Sequence, residues 1–222
     1  MTKEKKNIIK TTRYYDGRKK KWHFENFSKQ PCTPSVESVV RWINEWENTE
    51  AYTEQESALN KLFINLCPQN KELDDILIKV CALNDFYSTN IYSVIDVATA
   101  IKDLDIDERL HNPEGDFRIA DDINENIKRI TGRYAYSFAT KYCSHHRPEL
   151  YPIYDSYVDL LLRFYRDNIG GITFNNYDLL SHEKLWKVEA EFKRSFGLTQ
   201  FNAKEIDKFL WQEGKACFPK YK

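Results

Sequence analysis

The chain has little of the residues that loosen or staple a structure. Its 222 residues include seven Gly, seven Pro and one Met, with no low-complexity stretch and no internal repeat. Against 41% hydrophobic and 30% charged residues, that scarcity excludes a collagen-like repeat, a disordered tail protein and a flexible linker. Long hydrophobic runs are also missing. The longest uncharged stretches, such as Phe86–Ile95, fall far short of the ~18–20 apolar residues that span a bilayer, so no transmembrane helix and no membrane partner are expected. The charged start Met1-Thr2-Lys3-Glu4-Lys5-Lys6 is followed by no apolar segment, so no secretory leader is expected. Cysteine is sparse and odd in number: Cys32, Cys67, Cys81, Cys143 and Cys217 form no C-x-x-C pair. A reduced, cytoplasmic protein is the expectation. With a net charge of −1, no partner class is selected by charge alone.

What is present is helical periodicity. Residues 1–32 read as a polar, loosely ordered N-terminal arm, its basic clusters at Lys3–Lys6 and Arg18–Lys21 solvated. Residues 33–222 read as one all-α domain of eight to ten helices, with no alternating strand and only a weak seam near Asn84–Thr89. Thr33-Pro34 opens the first helix, and Thr53-x-x-Glu56 is a capping box for the second. Later helices start near Glu72, at Ser93 and after Gly115-Asp116, the last of these ending at Gly132. Another spans Tyr134 to Tyr142 and stops before His145-His146-Arg147-Pro148. Asp155, Ser181 and Asn202-x-x-Glu205 open the final three, and Gly170-Gly171 interrupts the chain between them.

One segment carries chemical information. A helix ending at Ile130-Thr131-Gly132 is followed by a second helix and then by Pro152-Ile153-Tyr154-Asp155 at the mouth of a third. A glycine turn between helices lets backbone N–H groups approach a phosphate, and an aspartate beyond it can be aimed at whatever lies beside that phosphate. Taken alone, Asp155 fits an ordinary helix N-cap as well as a catalytic carboxylate, and the two roles are compatible. His145-His146 lacks a third ligand at metal spacing, so no metal site is expected, and a role at the helix terminus fits better.

In these features the chain resembles the helix-hairpin-helix DNA glycosylase superfamily, and within it the branch related to 8-oxoguanine glycosylase. Pro152-Ile153-Tyr154-Asp155 with Val158 is similar to that superfamily's catalytic loop, and the resemblance covers about Ile127 to Val158. It implies an enzyme that excises a modified or oxidised base from duplex DNA, with Asp155 stabilising the positive charge on the sugar or activating water. The base would be flipped into an aromatic pocket for which Tyr154, Tyr136, Phe86 and Tyr87 are candidates. Gly132, Arg133, Lys128, Arg129 and His146 are the candidate DNA contacts.

Three departures bear on the chemistry. Gly132 stands alone where the family has two glycines, with Ile130 or Tyr134 at the other position. The position of the lyase branch's Schiff-base lysine holds Tyr136, or Tyr134 in the other alignment. Lys141, a second catalytic candidate, lies ~140° around the helix from Tyr136, which predicts a solvent-facing or phosphate-contacting side chain. A monofunctional, water-dependent glycosylase is therefore the expectation. Only Cys217 follows the loop, so neither an iron–sulfur cluster nor any other cofactor is expected. The alternative is a non-catalytic helical DNA-binding or interaction module that keeps the fold.

Overall fold

In a computed structural model, residues 12–16, 21–25 and 29–218 are described. The fold is all-α apart from one N-terminal hairpin. Strands β1 (Thr12–Asp16) and β2 (Lys21–Glu25) pair antiparallel, from Thr12 opposite Glu25 to Asp16 opposite Lys21. This corrects the expectation of a strand-free chain, and β2 runs beside the eighth helix. The predicted loose arm and basic clusters at Lys3–Lys6 and Arg18–Lys20 otherwise lie outside the described residues.

The helices are α1 (Val36–Glu47), α2 (Glu50–Asn60), α3 (Leu73–Tyr87), α4 (Val94–Lys102) and the single turn α5 (Asp107–Leu110). They continue as α6 (Ile119–Thr131), α7 (Tyr136–His146), α8 (Ser156–Phe164), α9 (His182–Ser195) and α10 (Ala203–Cys217). Wider π-turns extend α2 through Lys61–Leu66 and α8 through Tyr165–Ile169. Several ends follow from side-chain chemistry. Asp155 caps α8, Asn202 and Glu205 form a reciprocal capping box on α10, and Gly132 ends α6 at φ +73°.

Other ends differ from expectation. The first helix is boxed by Ser35 and Ser38 rather than opened at Thr33-Pro34. The second begins at Glu50, so Thr53 lies inside it and turns its hydroxyl back to Glu50 O. Helix α7 runs through His146, because its last turn is buried all round and packing outweighs the nearby proline.

Apolar side chains collect into two cores. The first runs from Leu59 in α2 to Tyr151 and is built on α3, α4, α6 and α7. The second unites Val39 of α1 with α8, α9 and α10. The helical path thus starts with α1 in the second lobe, crosses to the first between α1 and α2, and returns through residues 152–155. The seam expected near Asn84–Thr89 is not a boundary, since α3 and α4 on either side of it share the first core. Burying a large apolar side chain contributes ~1.5–3 kcal/mol, and Phe63, Phe138, Tyr142 and Tyr151 anchor the first lobe in this way.

A glycine sets the geometry of the second lobe. A Cβ on Gly214 of α10 would lie 2.9 Å from both Cβ and O of Tyr157 in α8. Only glycine permits that approach, and it brings the start of α8, with Asp155, against the face of α10 that carries Asp207 and Trp211.

Candidate active site

Both chain crossings line one cavity of about 180 Å³ between the lobes. The first crossing contributes Trp46, Tyr52 and Glu56, and the second contributes Ile153 and Asp155. Phe86 and Tyr87 at the end of α3 and Lys141 of α7 close it from the first lobe, while Asp207 and Trp211 of α10 close it from the second. Three rings pack on one another as an aromatic cluster on one wall, with centroids 4.8 Å (Trp46–Tyr52), 5.6 Å (Tyr52–Trp211) and 5.9 Å (Trp46–Trp211) apart. The volume is close to the ~150 Å³ apolar cavity that holds benzene and below the ~300 Å³ of drug-sized pockets. It suits one planar ring system.

The catalytic-type groups are held by their neighbours. Helix α7 pins the second crossing through both backbone groups of one residue: Tyr154 N–H donates to Thr140 Oγ1 (3.0 Å) and Ser137 Oγ donates to Tyr154 O (2.9 Å). His182 Nε2 lies 2.9 Å from Pro152 O in the same loop. Asp155 Oδ1 then accepts from Tyr157 N–H (2.6 Å) and Val158 N–H (3.3 Å). Its Oδ2 takes no hydrogen bond among the described residues, so the cap leaves one oxygen for chemistry. Lys141 Nζ donates to Ser137 Oγ at 2.7 Å.

Burial pushes the Lys141 ammonium below its ordinary range, against the pull of the Asp155 and Asp207 carboxylates, with Lys204 pushing it further down. Asp207 is pushed up to about 6 by burial, although Lys204 and Lys141 oppose the shift. Lys204 Nζ stands 3.9 Å from Asp207 and 4.0 Å from Glu56. Glu56 also accepts from Trp46 Nε1 (2.9 Å) and pairs with Lys208 (2.9 Å). A cleft that disfavours the charged form of both a lysine and a carboxylate is a candidate site for proton transfer.

Asp155, Lys141, Phe86 and Tyr87 all line the cavity, although the sequence reading turned Lys141 away from the pocket. Lys141 departs from its expected orientation: it is buried and faces the cavity, because Ser137 and the Tyr154 carbonyl draw Nζ toward the loop. Tyr136 and Tyr154 do not line the cavity. Their rings pack on each other at 5.0 Å, and the Tyr136 hydroxyl is buried without a partner. His146 cannot touch DNA, since it is enclosed by Phe63 and Tyr142 with Lys79 Nζ at 3.4 Å from Nε2. Neither His145 nor His146 caps the end of α7. Burial holds both imidazoles neutral, well below their ordinary pKa.

The α6–α7 hairpin exposes Gly132, Arg129 and Arg133, with Lys128 at their edge. Arg133 lies over the Tyr92 ring (4.9 Å), and Lys128 bonds the Tyr134 hydroxyl and covers its ring (4.1 Å). The N–H groups of Gly132, Arg133 and Ala135 already have acceptors in Lys128 O, Thr131 Oγ1 and Asn124 Oδ1. For an anion there remain the Tyr134 N–H and the first turn of α7, which has no side-chain cap. Trp46, Tyr52, Asp207 and Trp211 were not singled out in the sequence, and Glu56 only as a capping residue. The i, i+4 spacing of Asp207 and Trp211 was the one available signal.

The profile of an N-terminal domain family, HI_0787_N, matches residues 38–150. An uncharacterized protein of Haemophilus influenzae is 38% identical over 151 residues, 68% of this chain and 71% of the relative. The chain belongs to the HI_0787_N family. The span of the HI_0787_N profile holds the first lobe, the hairpin and Lys141, whereas Asp155 and α10 lie beyond it. No solved structure matches the chain.

Proposed function

We propose that the protein is a DNA N-glycosylase that excises a modified or oxidised base, working in the cytoplasm on duplex DNA. One observation carries this reading: Asp155, with one oxygen left over from capping α8, and the buried Lys141 line the same aromatic-walled cavity between two helical lobes. The helix-hairpin-helix-like turn at Gly132 lies one helix start away, joined to the catalytic loop through Ser137.

The flipped base would enter the cavity and lie against the cluster of Trp46, Tyr52 and Trp211, with Asp207 as its polar contact. As the C1′–N bond breaks, its electron pair leaves with the base, which takes up a proton. Asp155 Oδ2 stabilises the positive charge that develops on the sugar. The position of Lys141 favours its amine over water as nucleophile. The neutral amine gives its lone pair to C1′ and returns to solvent the equivalent of the proton that the base took up; the ring oxygen then takes a proton from water as the C1′–O bond opens to an iminium, which water hydrolyses. The monofunctional expectation depended on Lys141 pointing away, and its burial in the cavity removes that support.

The reading is tested by single-turnover excision on pooled labelled duplexes carrying 8-oxoguanine, uracil, alkylated and hydroxymethylated bases. Loss of the wild-type signal in Asp155→Asn supports it. Retardation of DNA without cleavage by wild type would favour the non-catalytic binding module.

A further inference from the structure

Lys141 and His145 stand one turn apart on α7, and Tyr87 from the end of α3 reaches both. The Tyr87 ring centroid is 5.4 Å from Lys141 Nζ, and its hydroxyl is 2.9 Å from His145 Nε2. His145 is itself wedged against Phe63 at 5.4 Å and is only 3% exposed. Tyr87 also borders the cavity and packs against the first core. Of the aromatic residues that meet the cavity from the first lobe, Phe86 has no polar anchor and Tyr87 has this one.

We infer that His145 is a positioning residue: it anchors the Tyr87 hydroxyl and so holds the phenol face against the Lys141 amine. A ring face beside a nitrogen stabilises that nitrogen when it is positively charged. The same face therefore serves the ammonium of the resting protein and the iminium formed on Lys141 in the proposed reaction. This inference rests on the reading of Lys141 as the nucleophile. The other charged groups facing the amine are Asp155 at the start of α8 and Asp207 and Lys204 of α10, with Glu56 of α2 across the cavity. Lys204 also interacts with Tyr87 and His145, but Tyr87→Phe, His145→Leu and His145→Gln leave all four of these charged groups in place.

The test follows Lys141 directly. Protein labelled with ¹³C at the lysine ε-carbons is titrated by NMR, with Lys141→Met assigning the resonance. Tyr87→Phe frees the ring from its anchor and is expected to lower the Lys141 midpoint by about half a pH unit. His145→Leu gives the same shift, the double variant no more than either single one, and His145→Gln, which can still accept from the phenol, stays near wild type. The pH midpoint of borohydride trapping on a labelled duplex moves in parallel. An unchanged midpoint in Tyr87→Phe, or additive shifts in the double variant, would overturn the inference, and Tyr87→Phe decides alone should His145→Leu not fold. If wild type traps no DNA, the nucleophile reading fails, while the titration still decides whether His145 acts through Tyr87.

Discussion

Asp207→Asn should make the protein more stable while damaging the site. Asp207 is only 8% exposed, and its carboxyl titrates at about 6 in the fold against 3.8 when unperturbed. The unfolded chain therefore ionises this group before the folded one does. Stability is intact below the unfolded value and is lost as pH rises through the folded one. A gap of ~2 pH units corresponds to about 3 kcal/mol at ~1.4 kcal/mol per unit. Part of that is returned, because the variant leaves Lys204 with only Glu56 at 4.0 Å as its carboxylate partner. A net gain of about 1–3 kcal/mol above pH 7 is expected, each kcal/mol raising Tm by ~2–4 °C in a chain of this size. Urea denaturation of both proteins from pH 4 to pH 8 measures it: the curves meet near pH 4 and separate as pH rises. A difference that does not change with pH, or a variant less stable at pH 7.5, would refute the reasoning.

Glu189 in α9 is 5% exposed and is pushed up to about 8 by burial. Glu189→Gln should match wild type near pH 4.5 and exceed it by at most about 5 kcal/mol at pH 8, again by denaturant titration. Asp155→Ala removes the α8 cap and should cost ~1 kcal/mol, whereas Asp155→Asn keeps the cap and should unfold with wild type. Gly214→Ala forces α8 from α10 and should cost ~1–3 kcal/mol, with quenching of Trp211 by acrylamide increasing as the cavity wall opens.

Local chemistry was legible in the sequence where one residue type decides the conformation. The Asp155 cap, the Asn202–Glu205 box and the Gly132 terminus all form as the spacing predicts. Thr53-x-x-Glu56 matched the same pattern, yet Glu56 serves Trp46 and Lys208 instead, because α2 had already begun at Glu50. Lys141 shows the limit of helical-wheel reasoning. Its angle around α7 was read relative to Tyr136, but the cavity lies on the side of the crossing loop, whose position depends on packing between lobes. The aromatic cluster was illegible for the same reason: Trp46, Tyr52 and Trp211 come from three helices and meet only through the packing of α1 on α10 and the turn from α1 into α2. The β-hairpin was hidden by a stretch rich in aromatic and basic residues that reads as a solvated arm.

The most direct measurement of the central claim is borohydride trapping of the protein on labelled duplexes carrying single modified bases, comparing wild type, Lys141→Met and Asp155→Asn. A covalent protein–DNA band with wild type on one base, absent with Lys141→Met and strongly slowed with Asp155→Asn, is the predicted result. Base excision that survives Lys141→Met undiminished, or no excision and no adduct on any duplex, would contradict the assignment of this cavity as a glycosylase site with a lysine nucleophile.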